Sequence, residues 1–205
     1  METNLPILLA SSVLITVPWI LSPGPVLAVT IAKGYNSKIA GALIALGHGA
    51  IEFPLIFMFY FGLSEFLDNL VVQKAISLVG GFIMIYLGLQ MLRVKGVKHN
   101  EQPRYVNRSS FVAGLITTGM NPFFFITWVG IGSTLVHNLA LFGAVAVATF
   151  ALTHWLCDLL WSTFVSLTVF KSRRFWTPKV FKAIFIFCFA ILVFFGLWFI
   201  VSAFL

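Results

Sequence analysis

The chain has very little charge. Of its 205 residues only 9% are Asp, Glu, Lys or Arg, against 60% hydrophobic residues. Soluble domains carry roughly 25% charged residues, so a soluble globular fold is excluded and an integral membrane protein is indicated. Acidic residues are scarcer still, six in all, and cysteines number two. Cys157 and Cys188 lie in apolar stretches and form no Cys-x-x-Cys pair. They read as small buried hydrophobes and say little about redox compartment. No basic segment precedes the first apolar run and no small-residue cleavage site follows a short one, so the first span is expected to be retained. The match of Asn107-Arg108-Ser109 to a glycosylation sequon is three residues long and carries no weight in a basic loop.

What the sequence does contain is long apolar runs. A helix needs about 20 apolar residues to cross a bilayer, which gives room for about six spans and no separate soluble domain. They read as Leu5 to Ala32, Ile39 to Leu67, Val71 to Leu92, Phe111 to Leu135, Leu139 to Phe170 and Val180 to Leu205. The whole of 1–205 is then one transmembrane domain: a first half of about 1–95, a basic loop of about 96–108 and a second half of about 109–205.

The formal charge of +7 suggests nucleic acid until the basic residues are placed. Lys33 and Lys38 fall between spans one and two, and Lys74 is the only one assigned to the second loop. Arg93, Lys95, Lys98, Arg104 and Arg108 fall in the third loop, and Lys171, Arg173, Arg174, Lys179 and Lys182 in the fifth. The odd loops hold all but one of the basic residues, so they are expected to be cytoplasmic, with both termini outside the cell membrane. The basic charge therefore sets orientation and attracts anionic membrane lipids; no nucleic-acid partner is expected.

Two stretches argue against plain helices. Ser22-Pro23-Gly24-Pro25 interrupts the first span, and Asn121-Pro122 interrupts the fourth. Proline removes a backbone donor and clashes with the preceding turn, and unpaired backbone groups are expensive in hydrocarbon unless they are used. A shift of 106 positions lays Ala40, Ala42, Ala45, Leu46 and His48 over Ala146, Ala148, Ala151, Leu152 and His154, and brings Glu52 onto Asp158. A shift of 108 lays Gly88 over Gly196. Spans two and five correspond, as do three and six, which leaves the two broken spans as counterparts. Three spans per half make this an inverted-topology repeat, and breaks at matching positions of such halves point to a transport site near the midplane.

Glu52 and Asp158 are the only acidic residues well inside the apolar runs; Glu2, Glu65, Asp68 and Glu101 fall in loops, at the N-terminus or, for Glu65, at the end of a run. A charge there costs at least about 2.5 kcal/mol, which makes both functional candidates. Each has a histidine four residues earlier, His48 and His154, on the same helix face. Three roles fit: proton uptake and release against cargo movement, a nitrogen and oxygen site for zinc, nickel or cobalt, or simple helix-to-helix pairing. His99 and His137 read as solvated loop residues. At the breaks, free backbone groups and the positive end of the following half-helix suit an anionic cargo group, with Ser22, Pro23, Gly24, Pro25, Asn121 and Pro122 as the cargo site. Phe123, Phe124, Phe125, Trp128, Trp155 and Trp161 are candidates to line the path. Gly80 and Gly81 would permit close helix contact in a homodimer. An intramembrane enzyme ranks last, because no nucleophile or cofactor motif accompanies the histidines, and no cofactor is expected.

Taken in order along six helices, "LSPGPVLAV", "GALIALGHGAIE", "YLGLQMLR", "GLITTGMNPFFFITW" and the Asp158 region resemble the lysine exporter (LysE/RhtB) superfamily of small efflux carriers. The resemblance covers essentially the whole chain. It implies six helices and amino-acid export driven by the proton gradient, with metal-ion resistance among some relatives. Many members carry Lys after the Asn-Pro pair, whereas here Phe123-Phe124-Phe125 follow Pro122. The aromatic run points towards larger or more apolar amino acids rather than basic ones. The expected function is therefore secondary export of an amino acid or similar zwitterion by proton antiport, with Glu52, Asp158, His48 and His154 as coupling residues. A divalent-cation exporter using the same four residues is the alternative.

Overall fold

A computed structural model describes residues 4–21, 24–62, 69–92 and 109–204 of the chain. The described residues are helical with turns between the helices and no strands. Helix α1 spans Leu5–Leu21, α2 Pro25–Gly34, α3 Ala40–Tyr60 and α4 Leu70–Leu92. Then come α5 Ser110–Gly119, α6 Pro122–Thr127, a π-helical turn Trp128–Gly132 and α7 Ser133–Ala140. Helix α8 spans Ala144–Ser172, followed by a 3-10 turn Arg173–Phe175, and α9 spans Pro178–Ser202.

Four stretches are long and apolar enough to cross a membrane, and the bent pair α1 and α2 makes up to five. The two members of that pair meet at 63°. Gly24 is extended at the start of α2 and Pro25 opens the helix, a place where proline's missing donor costs nothing. Ser22 and Pro23 lie outside the described residues, as does the basic loop of about 96–108. The second expected break is present: α5 ends at Gly119, and Asn121 caps α6 by accepting a bond from the Phe123 amide at 3.1 Å. With 10 residues, α5 is too short to cross alone.

One expected boundary is corrected. The polar cluster after Leu135 read as a loop, yet Ser133–Ala140 is helical and His137 is an exposed residue of α7. The chain turns instead at 141–143, inside the apolar stretch assigned to span five, because Gly143 supplies a φ of +87°. A left-handed residue turns a chain whatever the hydropathy around it. Gly62, at φ +78°, likewise follows α3 well before the expected Leu67.

Large apolar side chains cover the outside as well as the core. Leu14, Val71, Phe82, Leu160, Phe194 and Trp198 face outward, while Ser12, Thr16, Thr30, Glu52, Thr117, Thr118, His154 and Ser166 are buried. That is the arrangement in which lipid solvates the apolar shell and polar groups join helices within it. Helix α3 is central, lying along α5 on one side and α8 on the other, while α9 lies along α4. Its small residues permit this. A Cβ on Gly47 would strike the Phe111 carbonyl, one on Gly114 of α5 would strike Ile44, and one on Gly41 would strike the Ser162 carbonyl of α8. Gly81 and Gly196 face each other's backbone carbonyls in the same way, and Gly80 meets Met120 and Pro122. The close approach expected of Gly80 and Gly81 is therefore made within one chain.

Gly47→Leu and Gly114→Leu are expected to destabilise the protein by about 1–3 kcal/mol each through overpacking. Thermal unfolding in detergent checks this. Gly119→Ala, whose added Cβ would meet Ile51 at an ordinary 3.6 Å, should leave the midpoint unchanged.

Candidate functional site

Because α3 and α8 lie close along their small residues, the two His and carboxylate pairs meet. His48 Nε2 lies 3.1 Å from Glu52 Oε1, its partner one turn on. His154 Nε2 reaches across from α8 to the same Glu52 oxygen at 3.2 Å and lies 3.5 Å from Asp158 Oδ2. His48 Nε2 is 3.9 Å from that Asp158 oxygen. Four ionisable side chains thus share one cluster, with Glu52 1% exposed and His154 3% exposed in its interior. Glu52 Oε2 and Asp158 Oδ2 accept no hydrogen bond. These two oxygens, of which Asp158 Oδ2 is the one that faces both histidines, leave capacity that a proton, a cation or water would fill.

The other ring nitrogens are held as well. His48 Nδ1 lies 2.9 Å from Thr118 Oγ1 on α5, and His154 Nδ1 lies 2.8 Å from Thr16 Oγ1 on α1. Aromatic rings enclose both imidazoles: Phe124 meets His48 edge-on at 5.3 Å, Trp128 meets His154 edge-on at 5.6 Å, and Phe150 stacks on His154 at 5.8 Å. Trp128 opens the π-helical turn, a rare distortion that is frequent at functional sites.

The cluster borders a cavity of about 110 Å³. Gly24, Pro25 and Asn121 bound it from the two breaks, and Phe123, Phe124, Trp128 and Trp161 line it. Sequence reasoning therefore names the cluster, the described residues of both breaks and four of the six aromatics. Pro122 is buried at the second break, yet Asn121 rather than Pro122 lines the cavity. Trp155 does not line it; its indole donates to the Ala45 carbonyl at 2.8 Å and braces α8 on α3. Asn121 has its Oδ1 engaged in capping α6, which leaves its amide donor for other use. Missed were Trp19 and Phe195 on the cavity wall and the two threonines behind the histidines. A lone Thr in an apolar run gives no distinctive signal, since most bond back to their own helix.

A helical bundle with a buried ionisable cluster, a cavity at two broken helices and an apolar shell defines a multi-pass membrane transporter. The family model for LysE type translocators matches residues 17–203, and the chain belongs to that family. It is a transporter and not an enzyme. It is 28% identical over 171 residues, 78% of this chain and 79% of the relative, to the "Putative amino acid efflux protein YcgF" of Bacillus subtilis (strain 168). No solved structure matches the chain.

His48, Glu52 and Asp158 each offer a ligand atom within 4.8 Å of the others, a set that could hold a divalent cation. Thermal unfolding with added zinc, nickel or cobalt separates the two uses of the cluster. Coupling residues predict no stabilisation by these ions; stabilisation that vanishes in His48→Ala would make them ligands.

Proposed function

We propose that the protein exports an amino acid or closely related zwitterion across the cell membrane in exchange for protons. The observation that carries this reading is the contact of His48, Glu52, His154 and Asp158 beside a cavity bounded by both helix breaks. Two imidazolium and two carboxylate groups sum to zero charge, which suits an apolar interior. Removing one proton leaves one negative charge unbalanced, and such a charge in the membrane is costly. The ammonium group of a cargo neutralises it. Proton and cargo ammonium then occupy the cluster in turn, and exchange follows from their competition for the same carboxylates.

The cargo's carboxylate goes to the break at Ser22 to Pro25, where Val26 and Leu27 offer the first free amides of α2, Pro25 having none. Asn121 offers its amide donor from the opposite break, with Pro122 holding α6 in place. Phe123, Phe124, Trp128 and Trp161 favour an apolar side chain over a cationic one, because no lysine or acidic group beyond the cluster lines the cavity among the described residues. The relative's description as an amino acid efflux protein agrees with this cargo class.

The architecture proposed with it is six spans in two inverted halves. In this reading α5, α6, the π turn and α7 run end to end as the fourth span. Support comes from the 106-residue sequence shift and from the two histidines, each bonded to a threonine on the broken span of the other half. The distribution of Lys and Arg supports both termini outside. A divalent-cation exporter is the second reading, favoured by the ligand set of His48, Glu52 and Asp158.

Counterflow in proteoliposomes tests the cargo. Saturable uptake of one labelled amino acid class against its unlabelled form is expected, and Asp158→Asn should keep exchange while losing its pH dependence. Metal flux without amino-acid exchange would favour the second reading.

A further inference from the structure

The side of each imidazole that faces away from the carboxylates is as specific as the side that faces them. The Thr16 hydroxyl has a single hydrogen, and the Val13 carbonyl, which can only accept, takes it at 2.9 Å. Thr16 Oγ1 is therefore an acceptor towards His154 Nδ1 at 2.8 Å. This fixes the hydrogen on Nδ1. The exchangeable position on that ring is then Nε2, which faces Glu52 Oε1 at 3.2 Å and Asp158 Oδ2 at 3.5 Å. A bond between Nε2 and a carboxylate oxygen needs one proton, carried by the nitrogen or by the oxygen. The labile proton of His154 is thereby confined to the carboxylate side of the ring.

His48 has a similar setting in the other half, with Thr118 at 2.9 Å behind Nδ1 and Glu52 at 3.1 Å before Nε2. Among the described residues, however, no carbonyl takes the Thr118 hydrogen, so that hydroxyl can donate to Nδ1 and the same assignment does not extend to His48. Both threonines are fully buried. Thr16 stands on α1, just before the first break, and Thr118 on α5, just before the second. Neither threonine belongs to the helix that carries its histidine.

We propose that Thr16 is a positioning residue that holds His154 in the Nδ1–H form with Nε2 aimed at Glu52, tying the place of that proton to the placement of α1. When α1 shifts against α8, Thr16 leaves the ring and the restriction on where the proton sits ends. The groups that face the two rings are Glu52 and His48 from α3 and Asp158 and His154 from α8. Helices α1, α5 and α6 present only neutral side chains to them, and Lys33 of α2 does not line the cavity. The consequence for transport rests on the antiport reading; the tautomer assignment does not.

Ring-labelled ¹⁵N-histidine NMR on the purified full-length protein tests it, since the chain has only four histidines. His48→Gln and His154→Gln assign the two buried rings. In the wild type the His154 ring should keep its Nδ1 protonated. Thr16→Val should turn the His154 signal into a mixture of tautomers, and Thr16→Ser, which retains the hydroxyl, should restore the single form. The pH profile of exchange in liposomes should follow, displaced in Thr16→Val and recovered in Thr16→Ser. A wild-type spectrum with His154 Nδ1 unprotonated overturns the assignment without any variant. So does a folded Thr16→Val protein with unchanged ring signals. A failure to exchange any amino acid would defeat the antiport reading and leave the ring signals to decide this one.

Discussion

The structure depends on one oxygen atom. Glu52 Oε1 receives both His48 and His154, from two helices, and Glu52 itself is buried. A buried carboxylate survives only with such partners, and removing one partner from a buried ion pair costs about 3–5 kcal/mol. Several other features read as means to this contact. Small residues on α3 bring α5 and α8 near enough for side chains on separate helices to meet. Trp128 and Phe150 fix the His154 ring from two directions, and Trp155 binds α8 to the α3 backbone.

The breaks matter for a related reason. A continuous helix satisfies its own backbone and has nothing left for a solute. Interrupting α1 from α2 and α5 from α6 brings the break residues Gly24, Pro25 and Asn121 to the cavity beside the cluster. At the second break part of this capacity is already used, since Asn121 caps α6. The cavity of about 110 Å³ is small and largely aromatic, and a solute entering it loses most of its water. The ionisable cluster is what can compensate a charged group there.

Much of this was legible in the sequence because charge is so rare. With six acidic residues in the chain, the two in apolar runs stand out, and a histidine one turn before each makes the pairs visible. Both breaks were legible because a second residue accompanies the proline, Gly24 before Pro25 and Asn121 before Pro122; Pro18 and Pro54, without such a neighbour, lie inside α1 and α3 and leave them continuous. The turn at Gly143 was not, because glycine is common among packed membrane helices and its φ cannot be read from hydropathy. Nor were the threonines legible: Thr117 donates to the Ala113 carbonyl of its own helix, while Thr118 beside it holds a histidine on another. Only the packing of α5 on α3 tells them apart.

The measurement that bears most directly on the central claim is proton movement itself, followed with a pH dye inside proteoliposomes while an amino-acid gradient is imposed and no pH gradient is present. Exchange at the shared cluster predicts that protons move opposite to the amino acid and that Glu52→Gln abolishes the movement. Amino-acid flux with no proton movement, or with proton movement unchanged in Glu52→Gln, would contradict it.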